Sequence, residues 1–160
     1  MRIKMLMPFF LAAAFALPAQ AATRIDDPVK FVKAVYATTV GKKPEPDDIY
    51  TPRLDALFKL DTKEAHGEVG RIDFDFWMNG QDGTISGVTV SKADVDNAPG
   101  RIIVIAKFKN EKTANEIHFY FEKTAAGWKL DDARSMVGDL WVLSLFLKYG
   151  WNDDPATGSH

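Results

Sequence analysis

Three groups of residues in this chain have types and spacings that could do chemistry. The densest is acidic: Asp73, Asp75 and Asp82, with Asn79 and Gln81 between them and Trp77 inside the same stretch. A hard cation such as calcium takes several oxygen ligands from one short loop, and this composition supplies them. The EF-hand spacing is absent, because Phe76 and Trp77 stand where a third oxygen ligand and then glycine belong. The commoner use of such side chains is to cap turns by accepting backbone N–H bonds. A second group alternates: Glu116, His118, Tyr120 and Glu122. On one face of a strand these form a general acid–base set if a pocket encloses them, and a solvated face if none does. The third is the pair Asp131-Asp132. Asp132 is in phase with Trp128 and Leu130, so it is expected to point inward. Its structural alternative is to pair with Arg134 or to cap the loop before the last helix.

Other chemistries find no pattern. His66 and His118 have no second His or Cys at ligand spacing, so zinc is not expected. Ser86, Ser91, Ser135 and Ser144 sit in no nucleophile elbow, and the glycines form no phosphate-binding spacing. No metal or cofactor is expected.

The elements that must position these groups are legible from periodicity. Asp26-Asp27-Pro28 starts a helix, with Asp as N-cap and Pro at the first position, and Gly41 stops it. Thr51-Pro52 repeats the signal for a second helix with a stripe of Leu54, Leu57, Phe58 and Leu60, and Asp61 to Glu64 opens a short third turn that ends by Gly67. Gly67 to Gly83 reads as an ordered loop. From Thr84 the period changes to two. Strands are expected over 85–95, with a bulge at Gly87, over 101–109, over 117–122 and from Trp128, joined by short turns as an antiparallel meander. Trp128 is expected to anchor the core. A last helix is expected from about Asp139 to Tyr149, ended by Gly150. Its apolar residues exceed one stripe, so either it is sandwiched or its Trp141 side meets a partner or a second copy of the chain.

The 160 residues, 46% hydrophobic and 26% charged, suit one globular domain. A net charge of -2 leaves no basic footprint for nucleic acid, and cysteine is absent. Arg2 and Lys4 precede an apolar run from Met5 to Leu17, and Ala19-Gln20-Ala21 matches the small-x-small site of signal peptidase. The run is shorter than the ~20 residues that span a bilayer. Residues 1–21 are therefore expected to be a cleaved signal peptide, 22–150 one α+β domain in the periplasm without a membrane span, and 151–160 a frayed tail.

Two helices followed by a meander that ends Gly127-Trp128-Lys129-Leu130-Asp131-Asp132 resembles the nuclear-transport-factor-two-like cone. Upstream, Tyr50-Thr51-Pro52-Arg53-Leu54, Asp73-Phe74-Asp75-Phe76 and Asn79-Gly80-Gln81-Asp82 resemble the YbjP/YqhG-type family of exported bacterial proteins, with Phe76 where proline is common. The resemblance spans roughly residues 27–148. It implies N-terminal helices packed on a curved antiparallel sheet of about four strands, with a C-terminal helix. It also implies an immunity role against a toxin, and it carries over no catalytic residues. Cone-fold isomerases, by analogy, would use Asp132 with Tyr36 or Tyr50 to move a proton beside a carbonyl. The leading expectation is a non-enzymatic module for a protein partner or small ligand; the alternatives are a small isomerase or hydratase and a structural envelope protein. Asp73, Asp75, Trp77, Gln81, Asp82, His118, Tyr120, Asp132 and Trp141 are the candidate binding residues.

Overall fold

In the computed structural model the described residues are 23–38, 46, 48–94 and 98–150. The expected signal peptide and tail lie outside them, as does the expected stop at Gly41. Helix α1 (Pro28–Thr38) begins where the sequence places it: the Asp27 carboxylate accepts the N–H of Val29 at 3.0 Å and of Lys30 at 3.1 Å. Helix α2 (Pro52–Glu64) has Thr51 as its N-cap, whose hydroxyl accepts the Leu54 N–H at 3.3 Å. The expected separate third turn is simply the end of α2. Leu54 is buried and Leu57 and Phe58 are half-buried, but Leu60 is exposed, so the stripe is narrower than expected.

The sheet has five antiparallel strands in chain order, not about four: β1 (Ile85–Lys92), β2 (Arg101–Asn110), β3 (Thr113–Thr124), β4 (Gly127–Val137) and β5 (Trp141–Val142). Gly87, at φ 63°, does lie in a bulge, where the β1–β2 register shifts. The fifth strand takes residues expected to be helical. Trp141 pairs with Ser135 and Val142 with Arg134, and only then does helix α3 (Leu143–Tyr149) begin, ending at Gly150 with φ 71°. Leu140, inside the expected helix, instead precedes β5 and is 58% exposed.

One face of the sheet carries the core. Val104, Ala106 and Phe108 of β2, Ile117, Phe119 and Phe121 of β3, and Leu130 and Ala133 of β4 join a cluster with Val32 and Val35 of α1, Leu54 of α2, and Leu143, Phe146 and Leu147 of α3. Beyond β4 the edge is shared. Trp128 bridges Ile25, Leu130 bridges Tyr50, and β5 follows. Trp128 itself is half-buried, with the Lys123 ammonium 5.0 Å over its ring, so it flanks the core instead of anchoring it. The anchor is Trp77, which stacks on Phe119 at 4.5 Å.

Candidate functional site

The acidic loop is a hinge for an aromatic plug. The Asp75 carboxylate accepts the Trp77 N–H at 2.8 Å, and the backbones of Asp75 and Gly80 bridge. Between them Phe76, Trp77 and Met78 dive into the core face of the sheet. Asn79, at φ 51°, closes the turn. Its amide donates to Asn115 Oδ1 at 2.8 Å and its Oδ1 accepts the Trp141 indole N–H at 2.6 Å. The plug and β5 are thus tied through one side chain. Tyr36 completes the plug: its hydroxyl donates to the Trp77 carbonyl at 2.7 Å. Burial, then the Asp75 charge, hold that phenol well above its ordinary pKa.

Of the nine candidates, Trp77 and Trp141 are core residues and present no ring to solvent. Asp73, Gln81 and Asp82 are exposed, and Asp73 and Gln81 line one shallow depression with Asp139. Among the described residues no set of three His, Asp or Glu side chains gathers as metal ligands.

Asp132 corrects the phase reading. Phe121 faces Leu130 while Tyr120 faces Asp132, so Asp131 is an extra residue in β4. That bulge inverts the alternation, which is why Leu130 points into the core and Asp132 shares the side of Tyr120. Tyr36 donates its hydroxyl to the Trp77 carbonyl, and the Tyr50 ring packs on Phe58 at 4.7 Å. The Asp132 carboxylate instead accepts the Ser144 N–H at 3.0 Å, the Ser144 hydroxyl at 2.7 Å and the Ala133 N–H at 2.9 Å. It is a cap supplied to α3 from the neighbouring strand. Asp131, the bulged residue, is gripped by Arg53 at 2.9 Å and by the Thr51 hydroxyl at 2.7 Å. Burial pushes the Asp131 carboxyl up, and the bonds from Arg53 and Thr51 outweigh it, leaving it below the usual carboxylate range. The Arg53 guanidinium is raised in turn, chiefly by its bond to Asp131.

His118 and Tyr120 do come together with their sequence neighbours on the outer face of the sheet. Glu116 lies 2.7 Å from His118 Nε2 and 3.0 Å from Lys107 Nζ. The bonds from His118 and Lys107 hold its carboxyl below the ordinary range. Next to them the surface sinks into an open groove of ≈ 410 Å³. Ile103, 8% exposed, and Tyr120 belong to its lining, with Arg101, Glu122, Asp132 and Arg134 around them. All its lining residues come from β2, β3 and β4. The Arg134 guanidinium lies 5.0 Å over the Tyr120 ring, a cation–π contact. Sequence reading missed Arg101, Ile103 and Arg134. Their place opposite Glu122, Tyr120 and His118 depends on strand register, which the turn signals alone leave open.

Comparison with known proteins finds no matching family model, no matching curated protein and no matching solved structure.

Proposed function

We propose that this chain is a non-enzymatic binding module of the bacterial periplasm, built on a nuclear-transport-factor-two-like cone, and that the outer face of its sheet docks a protein partner. The observation that carries this reading is the division of labour between the faces. Where a cone-fold enzyme would need an open interior, Phe76, Trp77 and Met78 fill the core face. The groove opens on the other side, where a Tyr120–Arg134 cation–π pair stands beside a buried Ile103. Tyrosine and arginine around an apolar centre are the side chains that dominate protein–protein affinity. The resemblance to the YbjP/YqhG-type family adds the class of partner, a secreted toxin.

Site-specific photo-crosslinking in the exported protein tests this. A photoreactive residue at Arg101 or Lys107 should give one discrete adduct with a second protein, identified by mass spectrometry. The same residue at Val69, 74% exposed on the far loop, should give none. Absence of adducts from the sheet face, or equal adducts from Val69, would overturn the reading.

A further inference from the structure

Resting on that reading of the outer face, we infer that the groove receives a carboxylate from an extended segment of the protein partner, with Arg134 as its anchor. The reason lies in which charges on this face already have partners. Glu116 is held by His118 and Lys107, Glu122 by Arg101 at 2.8 Å, and Asp131 by Arg53. Asp132 has Ser144 and Ala133 on both of its oxygens, with the Arg53 guanidinium 3.9 Å away. Lys129, opposite Glu122 on β4, pairs with Asp48 at 3.0 Å. Every carboxylate of the face is engaged.

Arg134 differs. It is exposed, and among the described residues its recorded contact is the Tyr120 ring, with no carboxylate against it. The Tyr120 ring offers no acceptor oxygen, so the guanidinium keeps its N–H groups for bidentate carboxylate recognition. Lining from three adjacent strands gives an open trough that suits an extended chain better than a compact ligand.

The charge of the groove does not oppose this. The Asp132 carboxylate is satisfied by the Ser144 N–H and hydroxyl and the Ala133 N–H, and Asp131 is neutralised by Arg53. A cationic partner would find no free acceptor of comparable quality here. It is therefore the competing outcome of the test, not a second proposal.

The test is an NMR titration of the purified exported chain with hexaglutamate and, separately, hexalysine. Hexaglutamate should shift the Arg134 side-chain Nε–Hε signal together with the backbone amides of Ile103, Tyr120 and Asp132. Arg134→Gln should weaken that binding by about tenfold, and Arg134→Lys should restore part of it through charge without the fork. Hexalysine binding as tightly at the same amides, shifts scattered over the whole surface, or an unchanged affinity in Arg134→Gln would each overturn the inference. Crosslinking separates this failure from failure of the docking reading. An adduct at Arg101 and Lys107 that survives Arg134→Gln at full yield leaves the docking face standing and removes the carboxylate. No adduct in the unsubstituted chain removes the docking face itself.

Discussion

Along β3 consecutive side chains obey opposite rules. Ile117, Phe119 and Phe121 are essentially without exposure, packed under the helices and the aromatic plug. Glu116, His118, Tyr120 and Glu122 alternate with them, half-buried and joined to charged neighbours across the strands. The period-two pleat makes this separation possible, since each residue serves one face only. Burial of apolar area scales with stability, whereas exposed ion pairs contribute little. Stability therefore belongs mainly to one face, and most substitutions on the other should endanger the fold less.

Trp77→Ala is the most severe way to challenge that division. It removes the ring stacked on Phe119 and packed near Phe31, Tyr36 and Phe76, and should cost about 3–5 kcal/mol of stability. A large drop in the urea midpoint is expected. An unchanged midpoint would mean that the plug does not hold the core.

Asp132 sits on the outer side but serves the fold, so it sharpens the boundary. Asp132→Ala leaves the Ser144 N–H and hydroxyl without their acceptor and should cost about 1–3 kcal/mol. Asp132→Asn should recover part of this, because an amide oxygen still accepts the Ser144 N–H. Hydrogen exchange should show α3 loosening in the alanine variant first.

A smaller effect is expected from pH. The Asp131 carboxyl is held below its unfolded value, about 3.9 for an aspartate. Its contribution to stability is therefore fully present above that value and lost as pH falls through the lower folded value. Denaturation midpoints between pH 7 and pH 2 should fall at the acid end, and Asp131→Asn should flatten that part of the profile. Arg53 is about half exposed, so solvent screens the pair and the change is modest.

Least should come from the outer-face cluster itself. Glu116→Gln breaks bonds to His118 and Lys107 yet should move stability by no more than about 0.5 kcal/mol. A shift as large as that of Trp77→Ala would erase the contrast between the faces.

Both N-terminal helix starts were legible, because a cap and a proline act within one turn and need no distant partner. The Gly87 bulge and the strands of the meander were legible for the same local reason. Trp77 was singled out, but as a candidate ligand contact; its role in filling the core depends on Phe119, far along the chain. His118 and Tyr120 were placed on one face correctly, whereas Arg134 was considered only as a partner for Asp132. The acidic loop offered turn caps as the commoner use and cation ligands as the other, and Asp75 caps its turn by accepting the Trp77 N–H.

What the sequence determined by itself is what periodicity and turn chemistry control: an α+β chain, helices first, then an antiparallel sheet with alternating apolar and polar faces. Tertiary structure alone decided three things. One extra residue at Asp131 inverted the phase of β4 and sent Asp132 to the outer face. Trp141 and Val142, apolar enough for a helix, became a strand because β4 offered an unpaired edge beside Arg134 and Ser135. The register of β2, β3 and β4 gathered Arg101, Tyr120 and Arg134 into one groove. Each depends on hydrogen bonds between paired strands, not on the residues of one strand alone. A local pattern can state that a strand exists, but only its partner fixes which way each side chain faces.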